Sequence, residues 1–500
     1  MSLARVHTYA LNGLEAPPVT VEVHLGNGLP GFTLVGLPEG AVRESRERVR
    51  SALQSCGFEL PARRITVNLA PADLPKSGSR FDLPIALGIL LASGQLPPDR
   101  IAPVAWLGEL GLSGAVRPVS GVLPAGLAAL QESRALGVPV DNLPELSLLP
   151  ALTVQGAGHL SEIAAWAQGE GALSTPDPVP PQAPQFAVDW SDVKGQLQAR
   201  RALEVAVSGG HGALMMGPPG CGKSMLAERV PTLMPALSLE AAQEVAAIWS
   251  VAGRSRPPEQ FFQPPYLKGE STVSTAGLVG GGQPPRPGLI SLAHRGVLFL
   301  DELPEFRRDA LESLRAPLES GEVHLARARN QVRFPARPHV TLYAANPSPD
   351  GHWPGSPRSR STPDQVRRYL DKLSGPLLDR IDIFIAMQAV EPGELIHLPA
   401  GESSAEVRAR VTAAWQRQLE RQGCFNGQLD GAALTQHAAL GPKEKALLEQ
   451  AMQRLGLSAR SYVRLLRLAR TLADMAGHMR IEAVDVQEAL SLRRLPGGLL

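Results

Sequence analysis

The octapeptide Gly217-Pro218-Pro219-Gly220-Cys221-Gly222-Lys223-Ser224 constrains this chain more than any other stretch. It satisfies the pattern G-x-x-x-x-G-K-[ST]. In such a loop, backbone amides close around phosphate oxygens at the N-terminus of a helix. A loop of this kind needs a buried strand before it and a helix after it. The apolar run 212–216 (Gly-Ala-Leu-Met-Met) supplies the strand, and 225–230 (Met-Leu-Ala-Glu-Arg-Val) continues the helix. Lys223 can reach the β and γ phosphates, and Ser224 can offer its hydroxyl to Mg²⁺. The pattern predicts an α/β fold with a parallel sheet that takes up ATP and Mg²⁺.

A second apolar run, 296–302 (Gly-Val-Leu-Phe-Leu-Asp-Glu), ends in two carboxylates, the form of a Walker B strand. Buried β structure would carry Asp301 to the C-terminal edge of the sheet, where open α/β sheets bind ligands. Asp301 would hold Mg²⁺ together with Ser224, and Glu302 would polarise the attacking water. The run 340–346 (Val-Thr-Leu-Tyr-Ala-Ala-Asn) ends in a polar amide, suiting Asn346 to a sensor-1 role beside the γ-phosphate. Arg380 stands just before another strand pattern, as an arginine finger acting on a neighbouring subunit would. Arg460 opens a helix at Ser458-Ala-Arg-Ser461 and is a sensor-2 candidate. An isolated arginine on a helix is usually a solvated face. In this order, after a P-loop and a Walker B strand, these residues resemble those of AAA+ ATPases.

Five hundred residues exceed one ordinary domain. The 46 prolines and 49 glycines argue for many turns, and 44% hydrophobic content for globular cores. No apolar run is long enough to cross a bilayer, and no basic segment followed by an apolar one marks a secretory leader. Cys56, Cys221 and Cys424 form no pairing or metal-spacing pattern, which suits a reducing cytoplasm. Composition divides the chain into an N-terminal α+β region (1–168), a Pro-rich linker (169–185), an ATPase core (186–400) and a helical lid (401–500). In the first region, strand patterns at 20–25 and 65–69 alternate with helical ones at 41–56 and 82–92. Arg43, Arg46, Arg48 and Arg50 make one of these helices basic, with a solvated face expected.

Gly280-Gly-Gly282, Pro287-Gly288, Ile290-Ser-Leu-Ala-His294, the run 296–306 and Ser374-Gly-Pro-Leu-Leu-Asp-Arg-Ile-Asp382 together resemble the magnesium-chelatase-like AAA+ ATPases. Within these the resemblance is to the ComM, or YifB-like, group. It covers nearly the whole chain, since 31–38 and 76–84 match the N-terminal region of that group. The resemblance implies a homohexameric, ATP-driven motor on single-stranded and branched DNA. It further implies branch migration during natural transformation. The alternative is a chaperone-like ATPase that remodels a protein partner, as the magnesium-chelatase I subunit does.

Two departures matter. Residues 75–82 (Pro-Lys-Ser-Gly-Ser-Arg-Phe-Asp) resemble the nucleophile segment of Lon-type proteases, but Arg80 stands where that segment has its catalytic serine. A Lon-protease-like N-terminal domain without proteolysis is expected, because nearness of Ser77 or Ser79 to Lys76 in sequence does not supply a base in hydrogen-bond reach. ComM-like proteins also carry Cys-Pro-Cys-Gly and a later Cys-x-Cys after sensor 1. Here those positions read Ser348-Pro-Asp-Gly351 and Ser359-Arg-Ser361, so no zinc is expected. The family's His pair before the Walker B strand is replaced by Glu270-Ser271.

DNA contacts are expected from a local patch, because the net charge is only +1. In 321–334, Val323 and Leu325, then Val332 and Phe334, alternate with polar residues around a polar tip, which is a hairpin pattern. Arg327, Arg329 and Arg333 lie at its tip and flank. Facing a pore, they would contact phosphates without reading sequence. A solvated hairpin on a protein-remodelling ATPase is the other reading.

Overall fold

The computed structural model describes residues 3–37, 40–327, 330–373, 375–389 and 398–494. A seven-stranded sheet opens the chain, in the order Gly31–Val35, Arg64–Ala70, Pro18–Gly26, Leu3–Tyr9, Val104–Trp106, Ala135–Pro139, Val154–Ala157. Strands 64–70, 18–26 and 3–9 pair antiparallel, while the remaining neighbours are parallel. Alternation in Pro18–Gly26 sends Val19, Val21, Val23 and Leu25 into the core. The helix Asp82–Ala92 is buried along its whole length, so its apolar run covers one face of the sheet.

One end of that helix changes the expected basic face. Asp82 is buried, and Arg48 of the helix Ser45–Ser55 donates to its carboxylate at 2.6 and 3.1 Å. Burial pushes the Asp82 carboxyl up, and the guanidinium opposes that shift. Arg48 therefore neutralises a core carboxylate instead of joining a solvated face. Arg46 and Arg50 are exposed.

In the Pro-rich stretch, Ser174 pairs with Gly156 and Leu173 is buried, so its start packs on the first sheet. Residues 175–186 carry no helix or strand. Next comes a five-stranded parallel sheet ordered Tyr266–Gly269, Val297–Leu300, Val340–Ala345, Ala213–Met216, Ile383–Ala386. Its three inner strands, Val297–Leu300, Val340–Ala345 and Ala213–Met216, are buried on both faces. Ala213 and Met215 enter one apolar cluster, and Leu214 and Met216 enter another. Helices Ser404–Gln422, Pro442–Leu455, Ala459–Ala476 and Ala483–Leu492 follow. They join the first cluster along helix Leu197–Gly209, where Trp415 and Gln418 donate to the carbonyls of Val207 and Ser208.

The hairpin expected at 321–334 forms from Glu322–Arg327 and Asn330–Pro335, with Val323 opposite Phe334 and Leu325 opposite Val332. Its base is clamped by the N-terminal region. Leu11 and Leu14 pack against Val332, Phe334 and Val251. The turn between them comes so close that a Cβ on Gly13 (φ +63) would stand 2.5 Å from Val332 Cγ1. The helix Leu239–Val251 binds the same region through Ser250, whose carbonyl accepts the Gly121 N–H at 2.8 Å.

This close approach predicts that Gly13→Ala loosens the hairpin. The left-handed backbone costs about 1 kcal/mol, and the displaced Val332 adds about 1–3 kcal/mol. Native-state hydrogen exchange at the 332–334 amides should register the sum. Gly94→Ala has a similar φ of +74 and open space around it. It should leave those amides at their parent protection.

Candidate functional site

Parallel register decides which residues meet. Met216 lies opposite Ala345 on one side and Ala386 on the other, and Leu300 lies opposite Tyr343. Every strand therefore ends at the same edge, delivering Gly217, Asp301 and Asn346 together. The loop 217–222 runs from the strand Ala213–Met216 into the helix Lys223–Arg229, capped at Gly222. A cavity of about 350 Å³ there is lined by Pro219 to Ser224, Asp301, Glu302 and Asn346.

Inside it the polar groups bind one another. The Lys223 ammonium donates to the Gly217 carbonyl at 2.6 Å, to Pro218 at 3.1 Å and to Asn346 Oδ1 at 3.0 Å. Burial pushes its pKa down, while Cys221, Asp301 and Glu302 oppose the shift. Ser224 donates to Asp301 Oδ2 at 3.0 Å. The Glu302 amide donates to Asp301 Oδ1 at 3.0 Å, and Glu302 is exposed with φ 52. Cys221 is buried, and burial raises its thiol pKa. Such a set suits a triphosphate with its Mg²⁺: an ammonium and loop amides for phosphate oxygens, a hydroxyl and a carboxylate for the metal.

Two contributors escaped the sequence reading. Lys268, next to last in the edge strand Tyr266–Gly269, sits 3.2 Å from Asp301 Oδ2. Gln196 spans from the Cys221 carbonyl at 3.2 Å to the Gln388 carbonyl at 2.7 Å, tying the P-loop to the last strand. Neither sits in a local motif. Only the sheet order identifies Lys268, and nothing in the sequence singles out Gln196.

Arg380 and Arg460 lie elsewhere. A cavity of about 640 Å³ at the opposite edge of the sheet is lined by both, with Arg337, Arg464, Arg467 and Asp382 among its other walls. Gly212, Thr341 and Asp382, which also line it, stand at the starts of the strands that end at the P-loop, Asn346 and Met387. Four strand residues at about 3.3 Å each separate the two edges by about 13 Å. Arg380 is paired with Glu319, and Arg460 reaches Asp379 at 3.4 Å. Arg464 pairs with the buried Asp382, which also faces His211 at 3.2 Å. Burial would raise the Asp382 carboxyl, but these two partners hold it well below the usual range. The helix Ala459–Ala476 packs against the helices Leu197–Gly209 and Ser404–Gln422, and its Arg460 lines the same cavity as Arg380.

Of the three hairpin arginines, Arg333 is exposed opposite His324, and Arg327 closes the strand pair with Asn330. Arg329 lies outside the described residues. In the Lon-like segment, Lys76 donates to the Pro71 carbonyl, Ser79 to the Glu109 carboxylate and Arg80 to the Ser120 carbonyl. Among the described residues no group of three His, Cys, Asp or Glu side chains is placed to hold a metal. Nor is any helix among them long and apolar enough to cross a membrane.

Three family models cover most of the chain: "Magnesium chelatase, subunit ChlI" at residues 189–395, "Subunit ChlI of Mg-chelatase" at 21–142, and "Magnesium chelatase, subunit ChlI C-terminal" at 401–493. YifB of Escherichia coli is 46% identical over 496 residues, covering 99% of this chain and 98% of that one. The competence protein ComM of Haemophilus influenzae is 44% identical over 501 residues, with the same two coverages. The chain belongs to the magnesium-chelatase-like YifB/ComM family. Lon protease 2 of Bacillus subtilis is 28% identical over 125 residues, 25% of this chain and 21% of that protein. For the YifB/ComM family member described here, likeness to Lon is thus partial.

Proposed function

We propose that this YifB/ComM family protein is a Mg²⁺-dependent ATPase that assembles into a ring and drives branch migration of DNA in the cytoplasm, in the setting that the name of its competence-protein relative indicates. The observation that carries this reading is the convergence of Lys223, Ser224, Asp301 and Asn346 at one sheet edge. Lys223 and the loop amides of 217–224 would bind the phosphates, and Ser224 with Asp301 would hold the metal. Bound Mg²⁺ supplies charge neutralisation between the β and γ phosphates. Glu302, exposed beside Asp301, would take the proton of the attacking water, and Asn346 would orient that water. Arg380 and Arg460, across the sheet from their own cradle, would act on the nucleotide of the next subunit. The N-terminal region would be a Lon-like platform without proteolysis, and the helices after 401 a lid seated under the core.

The chemistry is tested by two variants. Lys223→Ala should weaken Mg-ATP binding by about a hundred-fold, the scale of a charged hydrogen-bond set worth about 3 kcal/mol. Glu302→Gln should keep binding and lower turnover by about 10²–10⁴-fold. Parent-like hydrolysis by Glu302→Gln would remove Glu302 as the base.

The motor is tested by following labelled three- and four-stranded junctions with ATP. The parent should move them, and the Arg327→Ala, Arg329→Ala, Arg333→Ala protein should not. That variant should also lose DNA-stimulated turnover, with the salt dependence of DNA binding flattened by about one unit of slope per arginine. Circular dichroism should match the parent, because side-chain truncations outside a packed core cost little stability. Equal junction movement by the variant would take the hairpin out of the mechanism. None by the parent would favour the protein-remodelling reading.

A further inference from the structure

The segment between Asn346 and the helix Pro363–Leu370 leaves the sheet beside the P-loop and returns to it, with one carboxylate tying its two ends together. Asp350 Oδ1 accepts the Ser348 hydroxyl and the His352 N–H, the latter at 3.0 Å. Oδ2 accepts the Arg360 N–H, the Ser361 N–H at 2.8 Å and the Ser359 hydroxyl at 3.4 Å. Ser348 is buried, and its hydroxyl also lies 2.7 Å from the His352 carbonyl. Five neutral donors on one carboxylate favour its ionised form. The Ser348 hydroxyl and the His352 amide lead in holding it well below the ordinary carboxyl range. An amide side chain could not replace it, because it has one acceptor oxygen and would turn an NH₂ towards donors.

The loop closed in this way touches the P-loop from two sides. Gly351 has φ +83, and a Cβ there would stand 2.8 Å from Pro219 Cδ. Trp353 donates its indole N–H to the Met387 carbonyl at 3.2 Å, and the Met387 N–H donates to Met216 at the end of the P-loop strand at 2.8 Å. A Cβ on Gly217 would meet Met387 at 2.8 Å. Just before Ser348, Asn346 accepts the Lys223 ammonium at 3.0 Å. The shape of 348–361 thus bears on Pro219, Gly217 and Lys223 together.

We propose that Asp350 is a positioning residue, an anionic clasp that shapes the loop 348–361 so that Gly351 and Trp353 hold the P-loop in its phosphate-binding form. It sets nucleotide affinity and leaves the chemical step to Glu302. The link to affinity rests on the ATPase reading; the clasp itself does not.

The experiment uses the full chain, with Asp350→Asn and Gly351→Ala. Arg358 and Arg360 are exposed within the clasped loop, so the rate of tryptic cleavage after them, measured without nucleotide, reports whether the loop is held. Binding of mant-ATP with Mg²⁺, and KM against kcat for ATP, report the effect on the site. Asp350→Asn should speed cleavage and raise both Kd and KM by about ten-fold, the scale of losing charge-assisted hydrogen bonds, with kcat within about two-fold of the parent. Gly351→Ala leaves Asp350 and its donors in place but adds left-handed strain and pushes a methyl into Pro219, so Kd should rise with cleavage slower than in Asp350→Asn. Parent-like cleavage of Asp350→Asn would overturn the clasp. Fast cleavage with unchanged Kd, or a fall in kcat alone, would overturn the positioning role. Failure of the parent to bind mant-ATP would fall on the ATPase reading, and the cleavage rates would still decide the clasp.

Discussion

Two contacts anchor the rest of this molecule: Lys223 held against Gly217, Pro218 and Asn346, and Ser224 held against Asp301. Both exist because five strands run parallel in one register. A parallel sheet has a direction, so residues that follow strands gather at one edge and residues that precede them gather at the other. The first group is the proposed phosphate cradle. The second group is Arg380, Asp382 and the helix that carries Arg460. One chain thus presents its P-loop on one edge and arginines on the other, the polarity that head-to-tail contacts in the proposed ring would use.

Much of the site was legible because its chemistry is local. The P-loop, the strand ending in Asp301 and the strand ending in Asn346 each announce themselves within about eight residues, by glycine placement or by buried runs ending in a polar group. The hairpin at 322–335 was legible for the same reason, through period-two alternation. What stayed hidden depends on contacts between distant segments. Arg48 reads as part of a basic helix until Asp82, 34 residues on, turns out to need its charge. Lys268 reads as an ordinary strand residue until sheet order puts it beside Asp301. Arg460 sits at a motif, but a motif does not say on which side of the sheet a later helix will pack.

The N-terminal region is joined to the core by more than the Pro-rich stretch. Leu11, Gly13 and Leu14 grip the hairpin base, and helix Leu239–Val251 shares an apolar cluster with Val122, Leu123, Leu146 and Leu149. The hairpin and the helix Leu239–Val251 are therefore both held against the N-terminal region by packed, close-fitting contacts. In a ring motor such an arrangement would carry movement at the nucleotide edge to the hairpin without a flexible hinge between them. In the segment 76–80, Lys76, Ser79 and Arg80 are engaged in internal hydrogen bonds.

In the proposed ring, the nucleotide cradle of one chain is completed by the arginine edge of the next. Mixing Arg380→Ala protein with Lys223→Ala protein tests it most directly, because each lacks what the other supplies across a subunit boundary. Neither alone should turn over ATP at more than a residual rate. The mixture should regain turnover, peaking near equal proportions and rising with protein concentration. Flat, residual turnover at every ratio, with mixed rings demonstrated by sedimentation, would contradict a shared site.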